Sequence, residues 1–182
     1  MTTLVEHLRI QARANRLANH RLHAAMAPLA REDLHAPRTS FFPSLAQTLN
    51  HILAVDLYYI AALYREADMA QQYQRVADAP FDTLPALAQA QRASDERLIA
   101  LCDRLDADGA DAFVDMDRSE GRVQRDRASH VLQHVFMHQT HHRGQVHAML
   151  SGTAVAPPQL DEFFLSQDAA LRRPELAALG FA

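Results

Sequence analysis

"HVLQHVFMHQTHHRGQVHAML", residues 130–150, carries six of the chain's 11 histidines in a segment whose apolar residues recur with a helical period. With His138 set at zero and about 100° per residue, His142 falls near about 40°, among Val131, Val135, Val146 and Met149. These two imidazoles therefore belong to the face that the helix must bury. His134, His141 and His130 fall on one flank, and His147 points the opposite way. The i,i+4 spacing of His138 and His142 lets one helix offer two neutral nitrogens to one ion at about 2.0–2.1 Å.

A third histidine occurs in "TLNHILAVDLYYIAAL", residues 48–63, where His51 shares a face with Ile52, Val55, Tyr59 and Ala62. One core histidine is readily explained by hydrogen bonds to its neighbours. Three are harder to explain that way, because each must find partners for two ring nitrogens. The spacing lacks the Glu of H-E-x-x-H, which disfavours protease chemistry. Three neutral ligands would leave the charge of a divalent ion uncompensated and a position open for water or a thiol. Gln145 projects at about −20°, close to His138 and His142, and could orient either ring, or simply hydrogen-bond on the flank. On the first helix Gln11, Asn15 and Asn19 interrupt the apolar stripe; hydrogen bonds that fix helix register are the simpler reading, lining of a cavity the other. Tyr58 and Tyr59 read as packing residues whose hydroxyls could reach the site.

Outward from these segments the chain reads as helical. An amphipathic pattern runs from Leu4 to Leu29, and "APRTSFFPSL" interrupts it. A second helix is expected from near Pro43 to about Ala67, with Ser40 or Ser44 as cap. After a loop around "ADAPFD", Thr83 and Pro85 open a third helix over residues 83–105, whose charged face should be solvated. The polar "SEGR" turn within residues 111–126 suggests a small hairpin, and a fourth long helix runs from near Asp126 to a stop at Gly152. Two prolines in "AVAPPQLDEFF" then break the chain before short closing helices. The expected architecture is all-α, an up-down four-helix bundle forming a single domain over residues 1–182.

Composition narrows the function classes. The formal net charge is −4 and the sequence pI about 6.2, with no basic block able to track a phosphate backbone, so nucleic acid is not an expected partner. The N-terminal stretch is charged where a signal peptide needs an apolar run, and no apolar run is long enough to span a membrane, so a cytoplasmic protein without membrane association is expected. The single Cys102 sits in a helical apolar pattern and reads as a small core residue.

"ANRLANHRL", "TLNHILAVDLYY", the hairpin segment, "HVFMHQTHHRGQV" and "APPQLDEF" together resemble the DinB/YfiT-like superfamily of metal-dependent four-helix-bundle proteins, over nearly the whole chain. The resemblance implies that His51, His138 and His142 are metal ligands, with His141 in the motif but not a ligand. It further implies a divalent metal, often zinc or nickel, commonly a homodimer, and in some members thiol-dependent transfer or isomerisation with low-molecular-weight thiols. Two functions follow as expectations. One is a metal-dependent transferase or hydrolase acting on a small-molecule substrate, with a thiol cosubstrate or water as nucleophile. The other is a non-catalytic, stress-responsive module in which metal clips the helices together. A haem site is disfavoured, because three converging histidines suit a small ion better than a flat macrocycle.

Overall fold

Long helices form where an apolar stripe follows a start signal. In the computed structural model, which describes residues 2–161 and 165–181, α1 (Leu4–Met26) opens on a capping box: the Thr3 hydroxyl accepts from the Glu6 amide, and the Glu6 carboxylate accepts from the Thr3 amide. α2 (Arg31–His35) is a single turn or so, and α3 (Leu45–Leu63) is capped by the Ser44 hydroxyl. α4 (Met69–Asp78) precedes α5 (Leu84–Arg104), which carries Pro85 in its first turn, and the short α6 (Ala107–Asp111) follows. A hairpin of β1 (Phe113–Asp117) and β2 (Val123–Arg127) leads directly into α7 (Ala128–Leu150), and α8 (Ala169–Ala178) lies near the C-terminus. The molecule is thus mostly helical with one small antiparallel sheet.

The four long helices share an apolar interior. α1 packs on α5 and α7, and α3 packs on α5, α7 and α4. Leu22 and Met26 of α1 meet Leu49 and Leu53 of α3, Leu87 of α5 and Val146 of α7 in one cluster. Toward the other end, Leu8, Ile60, Leu98, Leu132 and Val135 do the same. Cys102 is buried in this second cluster, and burial pushes its thiol up to about 12, consistent with a packing role. No helix among the described residues is long and apolar enough to cross a membrane.

The hairpin expected around "SEGR" is present. Phe113 pairs with Arg127 and Asp117 with Val123, and the turn uses positive φ at Glu120 (64°) and Gly121 (70°). Val114 and Met116 alternate inward against Tyr58, Ala62 and Val131.

One helix end and one additional helix differ from expectation. α3 stops at Leu63 rather than near Ala67: Arg65 adopts φ 59°, its amide bonds the Ala62 carbonyl, and the Glu66 amide bonds that of Ala61. This is a left-handed stop made without glycine, so residue type does not announce it. The chain then forms α4, which the sequence reading did not anticipate; Met69, Tyr73 and Val76 supply its apolar face. α7 ends at the "SGT" turn as expected, with Ser151 as its cap, and Gly152 just beyond it does so without a positive φ. Of "APPQLDEF", residues 162 and 163 lie outside the described residues.

The charged face of α5 is solvated at Arg92, Glu96, Asp103 and Arg104 as expected, but Asp95 is an exception, only 1% exposed. It accepts hydrogen bonds from Asn15 (3.2 Å) and Asn19 (2.9 Å) of α1 and from Gln91 (3.2 Å). Gln91 also donates to Asp56 of α3 at 2.7 Å, as does Gln139 of α7. Arg143 of α7 donates to Asn15, to Asn19 at 3.1 Å and to Gln139 at 2.8 Å. All four long helices therefore contribute to one buried polar network, and the amides of Asn15 and Asn19 fix register as the sequence suggested.

Burial, reinforced by the Asp95 charge, pushes the Asp56 carboxyl up to about 8; burial lifts Asp95 to about 6. Arg143 is lowered by burial to about 10 and stays cationic at neutral pH. Between about pH 4 and 8 the folded Asp56 thus keeps a proton that the unfolded chain has released. Its contribution is full below that window, and stability falls as pH rises through it. Asp56→Asn, which imitates the protonated carboxyl, should therefore gain on the wild type between pH 5 and pH 8 by at least about 1 kcal/mol, or about 2–4 °C in melting temperature. Thermal unfolding at both pH values measures this; an offset independent of pH would contradict a protonated Asp56.

Candidate metal centre

α3 and α7 lie side by side, and the i,i+4 spacing on α7 places His138 and His142 opposite His51 of α3. The ring centroids are 4.9 Å apart for His51 and His138, 4.6 Å for His51 and His142, and 4.4 Å for His138 and His142. One nitrogen from each ring lies within 4.8 Å of the other two, and His51 Nε2 is 3.0 Å from His138 Nε2. Ligands at about 2.0–2.1 Å around a tetrahedral ion stand about 3.3 Å apart, so the cluster is near the required size. Among the described residues, these three form the group of His, Cys, Asp or Glu side chains that could hold a metal ion.

The protonation state suits ligation. Burial, with His142 as the next cause, lowers the His51 pKa to about 4. Burial and the repulsion of His142, His51 and other neighbouring histidines lower that of His138 to about 3. Burial also lowers His142, against a hydrogen bond to Gln145 that acts in the other direction. All three rings are neutral near pH 7, and neutral imidazole is the ligating form.

Neighbouring groups fix the rings. His142 Nδ1 donates to Gln145 Oε1 at 2.7 Å, which leaves its Nε2 lone pair for the cluster; the Gln145 amide in turn reaches His141 Nε2 at 3.3 Å. Phe42, from the segment before α3, covers His51 at a centroid distance of 4.3 Å and His142 at 5.7 Å. His138 Nδ1 is buried without a hydrogen-bond partner among the described residues, and its Nε2 faces His51 Nε2 inside the cluster.

On the His138 side, a cavity of about 550 Å³ adjoins the cluster, lined by Tyr58, Tyr59, Tyr73, Arg118 and His134 among others. Arg118 donates to the Tyr59 hydroxyl at 3.0 Å and lies over the Tyr58 and Tyr59 rings at 5.3 and 5.5 Å. The Tyr58 hydroxyl donates to the Asp117 carbonyl. A fixed cation against an aromatic wall favours small ligands that combine apolar surface with partial or full negative charge.

The family model of the DinB family matches residues 5–175. The chain belongs to the DinB family. Comparison with curated proteins found no match. In this DinB-family chain the structure brings His51, His138 and His142 together, and Gln145 takes the orienting position read from the helix projection. His141 stays exposed beside Gln145, His130 is exposed, and His147 bonds the Pro158 carbonyl at 3.1 Å, away from the cluster. Sequence reasoning missed three neighbours. His134 was placed on the flank, yet it packs on Tyr59 at 4.8 Å and lines the cavity. Phe42 and Arg118 sit in connecting segments, where no periodicity points to them.

In the metal-free protein, His142 is expected to carry its proton on Nδ1, and His51 and His138 to remain neutral down to about pH 5. Nitrogen-15 shifts of the imidazoles measure both. Protonation of His51 or His138 near pH 6.5 would contradict the burial that the geometry implies.

Proposed function

We propose that this DinB-family protein is a four-helix-bundle metalloprotein in which His51, His138 and His142 ligate one divalent ion, zinc or nickel. We further propose that it transfers a low-molecular-weight thiol to a small electrophile, or hydrolyses an activated ester or amide. The observation that carries this reading is the convergence of three neutral imidazoles from two helices beside the cavity lined by Tyr59 and Arg118. Bound there, a divalent ion would supply Lewis acidity that brings water or a thiol to its anionic form near neutral pH.

The chain's own residues have separable roles in this account. The uncharged histidines leave the site open to an anionic partner. Gln145 holds the His142 ring with Nε2 toward the cluster, and Phe42 shields the faces of His51 and His142 from solvent. Arg118, braced on Tyr58 and Tyr59, can orient the carbonyl or carboxylate of an electrophile within reach of the cluster.

Metal analysis of protein loaded with zinc or nickel should give about one ion per chain. His51→Ala, His138→Ala and His142→Ala should each lose most of it, whereas His147→Ala should not. Equal metal content in His138→Ala and wild type would contradict the ligand set. Gln145→Leu should keep the ligands but weaken affinity by about 10–100-fold, the usual scale for an orienting hydrogen bond; competition with a chromogenic chelator measures the change, and unaltered affinity would remove Gln145 from the site.

Chemistry is tested with a panel of thiol–electrophile pairs and hydrolase substrates, comparing wild type, metal-free protein and His142→Ala. Turnover is expected only with the metal-loaded wild type. An ion held between α3 and α7 would also tie two long helices together, which favours a non-catalytic module as the second reading. Background rates in all three samples, with metal still raising the melting temperature of the wild type, would select that reading.

A further inference from the structure

A larger cavity than the one beside the histidines lies elsewhere, between α1 and α5 beside α2, with a volume of about 770 Å³. Its walls include Ala24, Leu34, Leu84 and Ala88, and its polar lining combines Arg16, Arg31, Arg92, His20 and His23 with the neutral Thr83 and Gln89 and no carboxylate. Two of the arginines are already engaged. Arg31 forms a fork with Asp82, and Arg92 pairs with Glu96 at 2.7 Å.

Arg16 differs. It is only 7% exposed, lines the cavity, and makes no side-chain hydrogen bond or ion pair among the described residues. Asp95 and Glu96 act on it only from beyond ion-pair contact, and the Asp95 carboxylate is occupied by Asn15, Asn19 and Gln91. A guanidinium has five N–H donors, and those of Arg16 find no acceptor among the described residues yet are not sealed from solvent, so they are left for water or a ligand in the cavity.

The N-terminus of α5 opens on the same space through Thr83, Leu84 and Pro85, and Thr83 makes no side-chain capping bond. The amides of Leu84 and Ala86 are therefore left for solvent or a ligand, and the helix dipole favours negative charge there. The buried Arg16 and the uncapped helix end thus point at one space from two elements, with apolar surface between them.

We infer that this cavity is a second binding site, for a small amphipathic oxyanion whose carboxylate or phosphate head meets Arg16 and the α5 N-terminus while a short hydrocarbon body lies against Leu34, Leu84 and Ala88. The site is separate from the histidine cluster, which lies between α3 and α7, and it does not depend on the proposed reaction. A volume of this size is ordinary for a small-molecule pocket.

The test uses octanoate, octyl phosphate and 1-octanol against the full-length, zinc-loaded protein, followed by calorimetry and by backbone amide shifts. At least one of the two anions should bind saturably with Kd below about 1 mM, and octanol should bind at least about tenfold more weakly than that anion. The two anions separate carboxylate from phosphate preference. Shifts should fall on residues 16–24 and 84–88 and not around His51, His138 and His142. Arg16→Met should weaken anion binding by about tenfold to a hundredfold, the scale of a lost charge-assisted hydrogen bond. If that variant does not fold, Ala88→Phe, which fills the apolar part of the cavity, decides instead by the same loss. No saturable anion binding below about 1 mM, octanol binding as tight as the anions, shifts confined to the histidine cluster, or unchanged affinity in the folded variants would each overturn the inference.

Discussion

The rest of the structure depends on Arg143. Its guanidinium is buried among polar groups from α1 and α7, and through Asn15, Asn19 and Gln139 it is linked to two buried carboxyls, Asp95 of α5 and Asp56 of α3. Apolar packing alone is tolerant of sliding, because many side-chain arrangements fill a core about equally well. A buried cation is not tolerant. Removing one of its amide partners leaves a donor of a buried charged group unsatisfied, at a cost of about 1–3 kcal/mol, so the four long helices are held in the register that supplies those partners.

That register also sets the histidine cluster. Gln139 and Arg143 each follow a cluster histidine by one residue, so α7 shows His138 and His142 to His51 while the adjoining positions enter the network. Asp56 ties α3 into the same network five residues after His51. The two helices that bring the histidines together are thereby fixed close to the cluster, by bonds that do not use the histidines themselves. Phe42, Tyr59 and Arg118 then shape access from segments whose own positions depend on α3 and the hairpin. This division leaves the imidazoles available for a ligand while the scaffold makes its hydrogen bonds elsewhere.

The sequence revealed the long helices and the histidine cluster because both are periodic features. A 3.6-residue repeat places His138, His142 and Gln145 on one arc without knowledge of any neighbour, and His51 is found by the same reading of α3. The buried charges were not legible. Asp95 looks like a residue of a solvated face until Asn15, Asn19 and Gln91 are seen around it, and its burial depends on partners 76 and 80 positions away. The stop at Arg65 was hidden for a different reason, since a left-handed residue other than glycine carries no compositional mark. Phe42, Arg118 and Arg16 likewise owe their positions to tertiary contacts rather than to local pattern.

The central claim is that three neutral imidazoles from α3 and α7 form one metal centre. X-ray absorption spectroscopy of the protein loaded with zinc tests it most directly, because outer-shell scattering from imidazole rings counts histidine ligands without reference to any substitution. The account predicts a shell of nitrogen and oxygen scatterers at about 2.0–2.1 Å, with ring scattering that fits three imidazoles and one lighter ligand. A spectrum that fits an oxygen-only shell, or at most one imidazole, would contradict it.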